Sequence, residues 1–326
     1  MRVRSKAILA GMAVIMAVGA GACSKVGNLQ ARKAFKEANG LYQGQNYREA
    51  IAKYQEVLSV DPNFATQDGV TPYFFIANSY DNLYKPARKG EPENDAYLTK
   101  AIENYKLAAE KDTNPKMKKL AMEYLVYSYG PDKLNDPTQQ EPIVQRMIEM
   151  DPNDPSNYFA LAKIYEDNGN LEQAEAMYNK AREMRPKDAT VYQQLAGFYQ
   201  RQGEFDKLID AVQQRAALEP NNAEAHYSIA SYYWDEAYRN TRLTDAQKRE
   251  YTEKGLAEVE RALQINPDYI DAIVYKGLLL RLQASMEKDV KKQQQLIKDA
   301  TDLQEKAAAL RRKQTGTAAA TSGGKK

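Results

Sequence analysis

The chain has 326 residues, 43% of them hydrophobic, with a mean hydropathy of −0.71, which excludes a polytopic membrane protein. Cys, His and Trp each occur once, which leaves little from which to build a transition-metal site or a Cys–His pair. The formal net charge is +2; without Arg2, Arg4 and Lys6, 43 basic residues face 44 acidic ones, so the chain is a poor nucleic-acid binder.

Residues 1–22 read as an export signal. Arg2, Arg4 and Lys6 form a basic start, and the run Ala7–Ala22 is wholly apolar and small. That run is shorter than the roughly 20 residues a spanning helix needs, and suits a signal-peptide core. The alternative is an uncleaved anchor that leaves the repeats facing the cytosol. The run ends Ala20-Gly21-Ala22-Cys23-Ser24, which resembles the bacterial lipobox, with Ala20 where that pattern prefers Leu. The resemblance implies that Cys23 becomes an acylated N-terminus, and that Ser24 directs it to the periplasmic face of the outer membrane rather than the inner one. Residues 23–30 then form a lipidated tether. With Cys23 acylated, no thiol remains for a disulfide.

Beyond the tether, small and aromatic residues recur in helical register. Ala34, Ala38 and Leu41 precede Gly44, Ala50, Tyr54 and Pro62. A second segment has Ala77 and Tyr80, a loop by composition at 85–92, then Ala101, Tyr105 and Ala108. A third, 116–152, is degenerate and broken by Gly130-Pro131 and Asp136-Pro137. The fourth is the clearest: Tyr158, Leu161, Ala162 and Tyr165, Gly169 for the turn, then Ala174, Tyr178, Ala181 and Pro186. The fifth repeats it with Tyr192, Leu195, Ala196, Tyr199, Gly203, Leu208, Val212 and Pro220. The sixth begins His226, Ile229, Ala230, Tyr233 and reaches Pro267 with extra residues around 238–248. The last has Gly277 and Leu280, then a charged, Gln- and Ala-rich helix over 289–313 that suits a polar terminal cap.

Pro152, Pro186 and Pro220 stand 34 residues apart, the period of the tetratricopeptide repeat. With the small-residue pattern above, residues 31–313 resemble that family, which implies an all-α, right-handed solenoid of six or seven helix-turn-helix units. The stretch 314–326 lacks periodicity and reads as a disordered tail.

In this family the first helix of each unit lines the concave face. Carried over by position, the resemblance implies Phe35, Asn39 and Tyr42; Phe74, Asn78 and Asp81; Phe159, Lys163 and Glu166; Gln193 and Gln200; and Tyr227, Ser231 and Trp234 as candidates for contact with a protein or extended-peptide partner. The competing reading of each ring is packing between neighbouring helices. Trp234 is the leading contact, since it precedes an interruption. Members that clamp a C-terminal carboxylate need Lys where this chain has Phe35 and Phe74, which argues against such a clamp. His226 stands where Tyr158 and Tyr192 stand and reads as packing; Glu258 and Glu260 read as solvated; no Gly-rich phosphate loop follows a strand pattern. The expectation is a non-catalytic scaffold without cofactor or metal, anchored in the membrane through Cys23. It would assist assembly of an outer-membrane, pilus/secretin or polysaccharide-export complex. The alternative is an accessory of an envelope enzyme such as a peptidoglycan hydrolase. The interruptions at 85–94, 131–141 and 238–248 are where partner choice is expected to lie.

Overall fold

The computed structural model describes residues 28–322, with side chains to 314. The signal, Cys23 and most of the tether lie outside the described residues. Within them every regular element is a helix, and the chain divides into two compact units, residues 1–170 and 171–326.

The first unit holds α1 (28–43), α2 (Tyr47–Val60), α3 (Tyr73–Leu83), α4 (Pro92–Lys111), α5 (Pro115–Tyr129), α6 (Pro137–Met150) and α7 (Pro155–Asp167). The second holds α8 (Leu171–Met184), α9 (Ala189–Gln202), α10 (Phe205–Leu218), α11 (Ala223–Arg239), α12 (Asp245–Ile265), α13 (Ile270–Ser285) and α14 (Val290–Ser322). In each unit helices pack chiefly on their sequence neighbours, as in a solenoid. The clearest sequence unit, 155–186, supplies the last helix of one unit and the first of the other. The segment 314–326, expected to be a tail, begins inside α14, whose backbone continues to Ser322.

The prolines act at helix ends. Pro62, Pro152, Pro186, Pro220 and Pro267 each stand two residues beyond the last residue of a helix, where the missing N–H costs nothing. Two residues later the next helix is capped: the Asp154, Asp188 and Asn222 side chains accept N–H groups of Ser156, Thr190 and Glu224. Pro92, Pro115, Pro137 and Pro155 occupy first-turn positions, where their fixed φ suits the helix. Gly203 closes α9 in the left-handed region at φ 70°, which a side chain would strain.

Small residues let the helices meet. Ala38, Ala50, Ala77, Ala101 and Ala121 are fully buried in the first unit, and Ala230, Ala262 and Ala272 in the second. Gly255 of α12 serves the same end: a Cβ there would meet Leu279 Cδ2 at 2.9 Å and Tyr233 Cβ at 3.3 Å.

The interruptions are less irregular than their composition suggests. Most of 238–248 is helix, because α11 runs on to Arg239 and α12 starts at Asp245 under a Thr244/Gln247 capping box. The 85–94 stretch is a short 3-10 turn, Pro86–Arg88, followed by α4. The loop 130–136 is tied by backbone bonds from Leu134 to Ser128, Asn135 to Gly130 and Asp136 to Tyr129.

Candidate functional site

In the first unit the candidate residues converge on an interior network. Phe35 packs at 5.2 Å on Phe64, 5.7 Å on Tyr54 and 6.0 Å on Phe75. Asn39 accepts the Tyr54 hydroxyl at 2.6 Å. The Tyr42 hydroxyl donates to Asn78 Oδ1 at 2.7 Å, and Asn78 Nδ2 donates to the Tyr105 hydroxyl at 3.1 Å. Phe74 sits between Tyr105 and Tyr124, 5.7 and 5.5 Å away. Burial raises the pKa of Tyr54, Tyr105 and Tyr42 above the ordinary phenol value.

Phe74 and Asn78 are therefore not an open surface; they are 5% and 7% exposed. The neighbouring helices occupy them: Phe74 meets Tyr105 of α4 and Tyr124 of α5, and Asn78 bonds Tyr42 of α1 and Tyr105. Asp81, one turn further along α3, is ion-paired to Lys133 from the 130–136 loop, and the two side chains are only 9% and 5% exposed. The Lys133 ammonium lies 4.3 Å from the Tyr127 ring centre, and its backbone carbonyl accepts Lys89 Nζ at 2.6 Å. Two of the interruptions thus meet each other, and one of them engages Asp81, a residue that position alone assigns to a binding face. Lys133 was missed from the sequence because a lysine in a polar loop carries no signal of burial.

α7 brings Phe159 to a half-buried position, with Lys163 exposed and bonded to Asp167 at 2.6 Å.

In the second unit the candidates remain at the surface. Gln193 and Gln200 of α9 are exposed, and Gln200 Oε1 accepts the Tyr232 hydroxyl of α11 at 3.3 Å. Ser231 donates back to the Ser228 carbonyl at 2.8 Å. Trp234 stacks on Tyr238 at 5.0 Å with the planes 10° apart, and meets Tyr275 edge-on at 5.5 Å. Tyr275 meets Tyr227 at 5.2 Å, and Tyr227 meets Tyr269 at 5.3 Å, both edge-on. Tyr238 is 63% exposed and the other four rings are half-buried. Desolvation, then the neighbouring Tyr275, raises the Tyr227 hydroxyl pKa. Sequence reasoning found Tyr227 and Trp234 but missed Tyr238, Tyr269 and Tyr275, which join them through packing of α13 on α11.

His226 is buried, with Nδ1 2.7 Å from Glu258, which also accepts Arg261 at 3.0 Å. Glu258, expected to be solvated, is thus mostly buried as the acid of an interhelical pair. Two wider clefts exist. One, of ≈ 550 Å³, is lined by Met122, Leu125 and Ile143 under Lys106 and Arg146. The other, of ≈ 590 Å³ between α13 and α14, is lined by Gly277, Ala300 and Ala307 beside Arg281 and Arg311. Among the described residues no group of three His, Cys, Asp or Glu could hold a metal, and no helix is long and apolar enough to cross a membrane.

Comparison with known proteins agrees with the repeat reading. The tetratricopeptide-repeat family profile matches residues 135–195. No curated protein matches the chain. The C-terminal part of a tetratricopeptide-repeat protein from Cytophaga hutchinsonii is similar in structure, with a TM-score of 0.56 and 18% identity, covering 85% of this chain and 98% of that one. MamA from Desulfovibrio magneticus RS-1 is 16% identical with a TM-score of 0.41, over 60% of this chain and 96% of that one. Yeast Tom70 is 19% identical with a TM-score of 0.43, over 81% and 48%. The fold is an all-α solenoid of helical repeats with tetratricopeptide character, an architecture that serves as a scaffold for protein–protein interaction.

Proposed function

We propose that the chain is a lipid-anchored scaffold of the bacterial envelope, held at the periplasmic face through Cys23, and that the second unit docks a protein partner on its α11/α13 face. The observation that carries the binding half is the Trp234–Tyr238 stack. Two large rings are set face to face at the surface, one of them 63% exposed, whereas Tyr54, Tyr105, Tyr178, Tyr199 and Tyr233 are buried. The anchoring half rests on the basic start, the short apolar run and the single Cys of the sequence.

Two measurements test it together. A photo-crosslinking residue in place of Tyr238 is expected to trap a discrete protein in living cells, and one in place of Glu110 is not. A clickable fatty acid is expected to label the wild type and not Cys23→Ser. Labelling that persists in Cys23→Ser removes the anchor, and a crosslinking pattern independent of position removes the docking face. The trapped protein distinguishes assembly of an outer-membrane, pilus/secretin or export complex from service to an envelope enzyme.

A further inference from the structure

In the second unit a pair of antiparallel helices presents a groove, and one pair earlier that groove holds a helix. α13 packs on both α11 and α12, with Ala272 and Leu279, seven residues apart, fully buried in one cluster with Ala230, Val259 and Ala262. α13 and α14 form the next such pair. Their cleft of ≈ 590 Å³ is lined by Gly277, Ala300, Ala307 and Ala308, which are small enough for the backbone of another helix to come close. Among the described residues α14 packs chiefly on α13, and no further helix lies over the pair.

What the groove lacks is an acid. Its two charged lining residues are Arg281 and Arg311, and no Asp or Glu lines it. The cleft of the first unit differs, since it sets Glu110 beside Lys106 and Arg146. Arg281 donates to Gln304 and Thr301, at 3.2 and 3.4 Å, and both are neutral. Arg311 has the Asp271 carboxylate at 3.8 Å. Arg281 thus stands at the level of Gln304, and Arg311 follows seven residues later on α14, which is two turns or about 10 Å along the axis.

That spacing defines an occupant. A helix laid in the groove meets both guanidinium groups if it carries carboxylates at i and i+7, and it turns small apolar residues at i+3 and i+4 to the floor. The rest of this chain has no such segment, because residues 1–27 and 323–326 contain no Asp or Glu. A second copy adding its first helix here would bring like charges, since α1 carries Arg32, Lys33 and Lys36 against Glu37. We infer that the α13/α14 groove docks an acidic amphipathic helix of a partner protein, seated as α13 is seated on α11 and α12, with Arg281 and Arg311 facing its acids. The groove is a second surface and does not depend on the rings of the α11/α13 face.

The full-length protein is titrated into three labelled 18-residue peptides and followed by fluorescence anisotropy. One is an Ala/Leu-based helix with Glu at two positions seven apart, one has Lys in place of each Glu, and one is the Glu peptide broken by two central prolines. The Glu helix is expected to bind saturably, and the other two at least tenfold more weakly. Arg281 is exposed, so Arg281→Glu should keep the fold; it is expected to weaken the Glu helix about tenfold and to strengthen the Lys helix. Lys298→Glu, the same reversal at an exposed position of α14 outside the groove, is expected to change neither. Ala308→Trp, which fills the groove from an exposed position, is expected to abolish binding at an unchanged thermal midpoint. The inference is overturned by a Glu helix that does not bind, by equal binding of either other peptide, or by an affinity indifferent to Arg281→Glu or to Ala308→Trp. Self-association of the protein alone that Arg281→Glu abolishes would give the groove to a second copy and overturn it as well.

Discussion

Lys133 and Asp112 are ionisable residues that the first unit buries. Lys133 is a loop residue drawn into the interior against Asp81, with the Tyr127 ring beneath it. Removing one member of such a pair strands the other charge, so Lys133→Ala is expected to cost about 3–5 kcal/mol in urea unfolding, while Lys133→Met combined with Asp81→Leu should recover most of that loss. Asp112 is a different case. It is fully buried, its Oδ1 accepts the Thr71 backbone N–H at 2.5 Å, and burial raises its pKa. A carboxyl whose folded pKa lies above its unfolded value of about 3.9 favours the fold while protonated. That contribution is complete below the unfolded pKa and is lost as pH rises through the folded one. Asp112→Asn keeps the acceptor and discards the charge. Its unfolding midpoint is expected to equal or exceed wild type at neutral pH and to fall less as pH rises above the unfolded value of about 3.9. A mutant that tracks the wild-type pH profile would show that Asp112 is ionised in the fold.

Element ends follow the sequence closely. A proline two residues past α6, α8 and α10 and an Asp or Asn two residues later make the stop of one helix and the start of the next a single signal. Where the repeat lengthens, the chain supplies a new cap: the Thr244/Gln247 box starts a 21-residue α12. Thr244→Ala should therefore cost about 1 kcal/mol, read as a lower midpoint in thermal unfolding followed by circular dichroism. The helices, their order and the Ala-lined contacts could be read from spacing, because 3.6-residue periodicity and small residues report directly on one helix against the next. The burial of Asp81 against Lys133 could not. Register tells which face of α3 a residue occupies, and says nothing of a loop some 50 residues later that lies over it. The same applies to the 61–72 connection. Its Gly69 carbonyl accepts from Thr113 at 3.0 Å, and a Cβ on Gly69 would strike that threonine. Nor does composition distinguish a polar interruption that loops out from one that prolongs two helices, as 238–248 does.

At the scale of the molecule the repeats behave as interchangeable parts, and one contact shows it at atomic resolution. Tyr165 donates to Glu141 at 2.8 Å across a 24-residue separation, and Tyr199 donates to Glu175 at 2.9 Å across the same separation. Burial and the glutamate push the Tyr199 hydroxyl up to about 12. Each tyrosine locks to the repeat before it, so the two bonds are the same bond one period apart. Excision of residues 153–186 joins Pro152 to Lys187-Asp188, restoring the proline-to-cap spacing, and puts Tyr199 24 residues after Glu141. The shortened protein is expected to fold with undiminished helicity per residue, whereas a cut two residues longer, 153–188, which removes the cap and puts Tyr199 22 residues after Glu141, should lose it; equal helicity in the two would refute a registered joint. The length of this scaffold is therefore a quantised trait. Duplication or loss of one 34-residue block keeps both the cap spacing and the 24-residue lock, so the chain can change by a whole module without any new joint having to be invented.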